Sequence, residues 1–263
     1  MREFGAQRGQ GATILQHLVI GAGRVGLSMA NYAAHLGCKV QIVGRRDLEE
    51  RLEFVRRTAA AADVVAVAAP DDAIANVLTM LQPLPETKTV IHFAGARIVE
   101  GATSTHPLYS FPKGGATAEA VARAPFALEG AGVRFDEIYP GATNPTFVVG
   151  PEDRALYHAL AVLSANFAAH IWNACAGAFA DRFPDAPPDA LAELLQSCVD
   201  RFREAPLDSM TGPVARRDAE TIGANRAALA ETPQLAGLYD AFLVSAWPEA
   251  ERLISDGPSR RSE

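Results

Sequence analysis

The chain has 263 residues and a formal net charge of −7, and 49% of its residues are hydrophobic. This composition is typical of a globular protein with a sizeable core, and the negative charge argues against nucleic acid and anionic membrane surfaces as partners. No run of about 18 uninterrupted apolar residues is found, so no membrane span is predicted.

The three cysteines, Cys38, Cys175 and Cys198, are far apart in the sequence and form no C-x-x-C pair. An odd number without metal-ligand spacing predicts neither a disulfide framework nor a metal site, and a reducing cytoplasm is the expected compartment. Residues 1–14 lack the apolar core of a signal peptide, and they and residues 256–263 are predicted to be flexible tails.

From residue 15 the chain alternates short apolar runs with helical patterns. Strands are predicted at 18–20, 40–43, 63–68 and 89–93, with helices at 25–36, 48–61 and 71–81 between them. Alternation on this scale predicts a parallel sheet with right-handed crossovers. Short extended segments at 106–112, 125–128 and 146–149 are expected to complete the sheet.

The first strand runs into Gly21, Gly23 and Gly26, which form the pattern G-x-G-x-x-G where a helix begins. In dinucleotide-binding folds the first glycine allows a tight turn, the second lets the pyrophosphate approach the backbone, and the third lets the helix lie close to the strand. Arg24 and Val25 start the helix, whose free amides and dipole favour phosphate. The motif therefore predicts a Rossmann-type cofactor site.

The second strand ends at Gly44-Arg45-Arg46, where NAD-selective sites place a carboxylate for the ribose 2′-hydroxyl. Two guanidinium groups suit a 2′-phosphate instead, so NADPH/NADP is the predicted cofactor; the alternative is that both arginines are solvated loop charges. Ligands of parallel sheets bind at the carboxyl ends of strands. The predicted cofactor site therefore also includes Ala69, Pro70 and Ala94.

From Pro151 the pattern is helical, at 153–179, 190–202, 215–230 and 235–254. The first of these segments is so rich in Ala and Leu that no broad side of it suits water, which predicts a place at the centre of a helical bundle and partly in a homodimer interface. The predicted fold class is therefore α/β, with a Rossmann-type doubly wound parallel sheet at 15–150 and an all-α C-terminal substrate and dimerisation domain at 151–255.

Several segments together resemble the 6-phosphogluconate dehydrogenase-like superfamily of NADP-dependent oxidoreductases, and more closely a bacterial family of Rossmann-like proteins that includes alternative ketopantoate reductases. The resemblance implies NADPH in the first domain and a homodimer formed through the helical domain. The chain departs from the family at Ala94, where serine is usual, and at Arg217, where glycine is favoured. The segments that carry the resemblance are 21–26, 69–74, 106–111, 156–159, Asn166 and 211–218.

Many members of that superfamily use a lysine on the first long helix of the second domain, with an asparagine one turn on. The lysines of this chain lie at 39, 88 and 113, so its helical domain has none. Asn166, His170 and Asn173 instead form a polar stripe at i, i+4 and i+7. Asn166 is predicted to orient the substrate oxygen, and the alternative, a structural hydrogen-bond line between helices, is preferred for His170.

His106 is the predicted titrating acid, because it lies near the strand ends and an unperturbed histidine titrates near neutrality. Ser110 in the same loop is predicted to bind substrate, and Lys113 is an alternative cation. For His106 the alternative is a rigid turn with the proline that follows. Arg216 is predicted to bind a substrate carboxylate, the alternative being a helix cap with an Asp218 ion pair.

The predicted function is NADPH-dependent reduction of a small 2-oxo acid, similar to ketopantoate reductase. His106 or water would supply the proton and Asn166 would polarise the oxygen. Two alternatives stay open. One is reduction of a C=N bond, as in pyrroline-5-carboxylate reductases, which demands less proton donation to a carbonyl oxygen. The other is a non-catalytic NADP(H)-binding sensor, which the missing lysine and Ala94 favour.

Overall fold

The computed structural model describes residues 14–85 and 87–252. The chain divides into two compact units, Met1–Asn166 and Phe167–Glu263. Apart from Ile14, the predicted tails lie outside the described residues. The strands are β1 (Gln16–Ile20), β2 (Lys39–Val43), β3 (Val64–Val67), β4 (Thr89–His92), β5 (Thr103–Pro107), β6 (Phe126–Leu128) and β7 (Thr146–Val148).

The helices follow the predicted order, with several shorter than the pattern indicated. Those of the first unit are α1 (Arg24–His35), α2 (Arg45–Glu50), α3 (Leu52–Ala61), α4 (Ile74–Leu81), α5 (Ala118–Val121), α6 (Phe135–Ile138) and α7 (Arg154–Val162). Those of the second unit are α8 (Ala168–Arg182), α9 (Ala190–Glu204), α10 (Pro213–Arg216), α11 (Ala219–Ala228) and α12 (Pro233–Ala246).

The seven strands form one sheet in the order β2-β1-β3-β4-β5-β6-β7. All neighbours pair in parallel except β5 and β6, which are antiparallel. Ile20 pairs with both Val43 and Val67, and Val67 pairs with His92, so the first four strands end at one edge. The predicted Rossmann-type sheet followed by a helical region is confirmed.

Apolar side chains cover both faces of the sheet. On one face Met29 and Tyr32 of α1 share a core with Phe126 and with Phe135 of α6. On the other face α3 and α4 bury residues such as Val55 against β1 and β3. The fully buried run Val64–Val67 fits a central strand covered on both sides.

Three helical predictions need correction. The segment 48–61 is two helices, because the backbone leaves the helical region at Arg51. The segment 215–230 is broken at Arg217, which adopts a left-handed conformation (φ 55°) and caps α10. The last helix ends at Ala246, just before Pro248, rather than continuing to 254.

The first unit extends to Asn166, sixteen residues beyond the predicted domain boundary at 150. The reason is that α7 contacts the strand edge through its own side chains: Arg154 donates to the carbonyl of Gly95 at 3.2 Å, and Tyr157 contacts His106. The boundary between the units falls in a π-helical turn, Leu163–Phe167, which joins α7 to α8.

The helical segment Pro151–Arg182 is long and apolar enough to cross a membrane by length and composition, with a mean hydropathy of 1.2. Uncharged polar residues such as Ser164, Asn166 and Asn173 interrupt the apolar run, so the sequence predicts no span, and that stays a prediction. No residue of the described helix α8 is buried in the single chain, so the predicted place at the centre of a bundle is not found there.

The second unit has a small core of its own. Val214, Ile222 and Leu243 are buried together, and Trp247 lies against them. The carboxylate of Asp240 on α12 accepts hydrogen bonds from the guanidinium of Arg226 on α11 at 2.7 and 3.2 Å. These contacts hold α10, α11 and α12 together.

Candidate functional site

At two of the three glycines in the loop between β1 and α1, neighbouring backbone atoms leave no space for a side chain. Gly21 has a φ of 118°, and a Cβ there would lie 2.3 Å from the carbonyl oxygen of Ala68. A Cβ on Gly26 would lie 1.8 Å from the carbonyl oxygen of Gly21. Glycine is therefore required at both positions for the turn itself and for the close approach of the helix to the strand.

Gly23 differs from Gly21 and Gly26 because, apart from its two chain neighbours, no described residue has an atom within 4 Å of a Cβ built there. It caps α1 with extended backbone, so the first amides of the helix, from Arg24 and Val25, have no intrahelical acceptor. The fold of the free chain therefore leaves an open approach at a helix N-terminus, which is the arrangement that a pyrophosphate requires.

At the end of β2 the two predicted arginines begin α2 and are exposed. The first carboxylate after this strand, Asp47, accepts a hydrogen bond from the Gly44 N–H at 2.9 Å and caps the helix. Arg46 forms an ion pair with Glu50 at 2.9 Å, whereas the side chain of Arg45 is exposed to solvent. The guanidinium groups of Arg45 and Arg46 thus follow the end of β2, while the carboxylate of Asp47 is hydrogen-bonded to the backbone.

The remaining predicted cofactor residues lie at the same edge of the sheet. Ala69 and Pro70 follow β3, and Ala94 follows β4. Ala94 is buried, its N–H donates to Nδ1 of His92 at 3.2 Å, and its carbonyl accepts from the Ser104 hydroxyl at 2.8 Å. The side chains of His92 and Ser104 therefore fix the backbone at Ala94. This is the position at which the family that the chain resembles usually has serine.

A cavity of about 470 Å³ in the first unit brings His106, Ser110 and Asn166 together. These are three of the four predicted catalytic and substrate-binding residues. Sequence reasoning gave Tyr157 no role, yet this residue also lines the cavity. The lining residues are His106, Leu108, Tyr109, Ser110, Tyr157, His158, Leu160, Ala161, Val162, Ser164, Ala165 and Asn166.

The surroundings of His106 change its predicted chemistry. Its Nδ1 lies 2.6 Å from the hydroxyl oxygen of Tyr157, and its ring contacts that of His158 edge to face. Burial, together with smaller effects of His158, Arg154 and His92, lowers the pKa of His106 to about 4. The prediction that His106 titrates near neutrality is wrong, because the imidazole is held neutral in this environment.

Arg154 is a buried cation that sequence reasoning did not single out. It is 1% exposed and donates from Nη1 to the Gly95 carbonyl, while its Nε and Nη2 have no hydrogen-bond partner among the described residues. Burial lowers its pKa, against the opposing effect of Glu129. An arginine on an alanine-rich helix gives no signal of its burial in the sequence. For Tyr157 the sequence carries a different signal, because the segment 156–159 is one of those that resemble the family.

Arg216 belongs to the second unit, where it ends α10. Asp218 caps α11 by accepting from the Thr221 N–H at 3.1 Å, which agrees with the cap alternative for that carboxylate. Arg217 lies over the ring of Trp247, and its left-handed backbone explains why glycine suits this position. His170 lies 3.5 Å from the Gln234 amide, a contact between helices.

A second, larger cavity of about 750 Å³ lies at the opposite edge of the sheet, near the amino ends of β4 and β5. It contains none of the predicted site residues. Among the described residues no group of three or more His, Cys, Asp or Glu side chains could hold a metal ion.

Two family models match parts of the chain. The model for pyridine nucleotide-disulphide oxidoreductases matches residues 16–51, which run from β1 through the glycine loop to Arg51. A domain of unknown function, DUF2520, matches residues 126–245. None of the curated proteins compared with the chain matches it. The glycine loop therefore lies within the segment that is similar to pyridine nucleotide-disulphide oxidoreductases.

Solved structures share this fold over most of their length. A Bacteroides fragilis protein proposed to be an NADP oxidoreductase has 22% identity and a TM-score of 0.70, over 89% of this chain and 98% of that one. The NADP-bound pyrroline carboxylate reductase of Plasmodium falciparum has 11% identity and a TM-score of 0.55, over 90% and 97%. A variant imine reductase from Myxococcus stipitatus, in complex with NAD⁺, has 17% identity and a TM-score of 0.54, over 92% and 95%.

Proposed function

We propose that this protein is an NADPH-dependent reductase of a small 2-oxo acid, ketopantoate or a similar compound. The observation that carries the proposal is the open approach at Gly23, at the N-terminus of α1 in a pyridine nucleotide-binding segment. The exposed Arg45 and Arg46 at the end of β2 support NADP over NAD, because guanidinium groups bind a 2′-phosphate.

The substrate would occupy the cavity lined by His106, Ser110 and Asn166. When bound, NADPH supplies a hydride. The side chains of Ser110 and Asn166 can donate hydrogen bonds to the substrate oxygen on which negative charge develops. The assignment of a substrate carboxylate to Arg216, which ends α10 of the second unit, stays a sequence prediction.

Reduction of a cyclic or acyclic imine is the second candidate. Two solved structures with this fold, a pyrroline carboxylate reductase and an imine reductase, carry that chemistry in their names. The absence of lysine after residue 113 also agrees with it, because the superfamily's usual carbonyl-activating cation is missing.

The deciding experiment measures binding of NADPH, NADH and NADP⁺ to the purified protein, followed by NADPH oxidation with a panel of 2-oxo acids and imines. Turnover of ketopantoate or another 2-oxo acid is the expected result. Turnover confined to imines would favour the second candidate. Tight NADPH binding without turnover of either class would instead indicate a sensor.

Replacing both Arg45 and Arg46 with alanine is expected to weaken NADPH binding by about 10- to 100-fold, because two contacts to the 2′-phosphate are lost. NADH has no such phosphate, so its Kd should change by less than about twofold. Fluorescence titration with both cofactors measures the two effects. Replacing Arg51, which pairs with Asp47 and lies over Phe54, provides the control for loss of positive charge. An equal loss of affinity for NADPH and for NADH would contradict the assignment of Arg45 and Arg46 to the 2′-phosphate.

We further propose a homodimer through the helical unit. Phe167, Trp172 and Phe183 are exposed in the single chain on α8 or at its ends, as are Leu194 and Phe202 of α9. Exposed apolar surface of this extent is typical of a protein interface. Light scattering at micromolar concentration should give twice the chain mass of 27.9 kDa. A single chain mass at that concentration would contradict the proposal.

A further inference from the structure

Tyr157 and His106 form a pair within the cavity proposed to hold the substrate. The Tyr157 hydroxyl oxygen lies 2.6 Å from His106 Nδ1, and the two rings meet edge to face with centroids 5.5 Å apart. The ring of Phe147 contacts Tyr157 with a centroid separation of 5.9 Å. The phenol is therefore held by two aromatic neighbours while it lines the cavity.

The direction of this hydrogen bond decides what the pair can do. A neutral imidazole carries one N–H, on either Nδ1 or Nε2. With the proton on Nδ1, His106 donates to the Tyr157 oxygen, and the phenolic hydrogen is free to point into the cavity. With the proton on Nε2, the phenol donates to Nδ1 and its hydrogen is occupied. Only the first arrangement makes Tyr157 an acid toward a bound molecule.

Charge in the same cluster favours the deprotonated phenol once a proton has left. Arg154 lies one helical turn before Tyr157, is buried, and has two guanidinium nitrogens without partners among the described residues. Burial raises the pKa of Tyr157 to about 12, and the charge of Arg154 opposes that rise. The phenol is thus protonated at neutral pH, and a cation stands near the phenolate that proton transfer would form.

We propose that Tyr157 is the proton donor of the reductase and that His106 is its positioning residue. This role rests on the proposed function. A bound reduced nicotinamide would supply the hydride that adds to the carbonyl carbon as the C=O π bond breaks, and the nicotinamide would be left oxidised. The substrate oxygen takes the proton from Tyr157, and His106 Nδ1–H holds the resulting phenolate. A proton from solvent then restores the Tyr157 hydroxyl. In an imine the nitrogen takes the proton instead.

The test compares Tyr157→Phe with Tyr239→Phe, the same substitution in the second unit, where Tyr239 accepts from Asn225. Tyr157→Phe should lower kcat by about 100-fold or more, as expected for loss of a general acid. Its NADPH Kd should match the wild-type value and the variant should stay folded, with some loss of thermal stability because the His106 N–H loses its acceptor. Tyr239→Phe should keep wild-type kcat. If Tyr157→Phe has the same kcat as the wild type, this proposal is overturned and the proposed function stands. A wild-type protein without turnover would overturn both.

A readout on the free protein tests the pair independently of activity. In ¹⁵N NMR spectra His106 should be neutral at pH 7 with its proton on Nδ1, and Tyr157→Phe should shift that nitrogen. Facing His106 are His158 and Arg154 of α7 and His92 of β4, so each signal must be assigned. A resting proton on Nε2 would overturn the proposal. His106→Asn, which keeps an N–H donor, should restore most of the kcat that His106→Ala loses; equal losses would contradict the positioning role.

Discussion

Replacing Gly23 with alanine is expected to raise the Kd for NADPH by about 100-fold or more, while the free protein stays folded. The physical reason is that the alanine Cβ would occupy space that the free chain leaves open, where the pyrophosphate must approach the backbone. Stability should change by less than about 1 kcal/mol, because the position is an N-cap without a side-chain bond. Fluorescence titration and urea unfolding measure the two quantities.

Gly26→Ala is the matched control for this prediction. Its Cβ would lie 1.8 Å from the Gly21 carbonyl oxygen, so the backbone must move and the protein should lose about 3 kcal/mol or more of stability. Gly23→Ala should therefore separate binding from folding, whereas Gly26→Ala should damage both. A Gly23→Ala protein that binds NADPH as tightly as the wild type would show that the pyrophosphate lies elsewhere.

The sheet and the glycine loop could be predicted because their signals are local. A buried run such as Val64–Val67 must form a central strand, and a glycine motif between a strand and a helix has one established use. The carboxyl ends of parallel strands then meet at one edge without further information. This is why Gly21, Gly44 and Ala94, far apart in sequence, could be assigned to the same edge.

Helix breaks and the unit boundary could not be predicted in the same way. Arg217 is an ordinary helix former, and only the backbone shows that it caps α10 in the left-handed region. Likewise, the segment after residue 150 has a continuous helical pattern, although its first turns belong to the sheet unit. The contact of Arg154 with Gly95 decides that boundary, and it joins positions 59 residues apart.

The substrate cavity was predicted in part. Topology alone places His106 and Ser110 at the sheet edge, and helical spacing drew attention to Asn166. The protonation state of His106 could not be predicted, because it depends on His92, Arg154 and His158, which come from two other elements. Tyr157 was given no role although the segment 156–159 carries the family resemblance, because its hydrogen bond to His106 joins positions 51 residues apart.

Acidification from pH 8 to pH 5 is expected to lower the free energy of unfolding through three buried histidines. His17, His92 and His106 are each held neutral by burial, with a folded-state pKa of about 4 against an unfolded value of 6.5. Below pH 6.5 the unfolded chain therefore binds more protons than the folded chain, and stability falls until the pH reaches about 4. Each histidine contributes about 2 kcal/mol at pH 5.

His17→Phe tests this linkage outside the substrate cavity. His17 lies on β1, is 2% exposed, and contacts the ring of Tyr139 at 5.5 Å, so phenylalanine keeps the aromatic contact and removes the titrating group. Urea unfolding should show that this variant loses about 2 kcal/mol less than the wild type between pH 8 and pH 5. Tyr139→Phe, in the same cluster, should shift stability equally at both pH values. Only a group whose pKa changes on folding makes the free energy of unfolding depend on pH. If His17→Phe loses as much stability between pH 8 and pH 5 as the wild type, His17 is already protonated in the folded protein at pH 5.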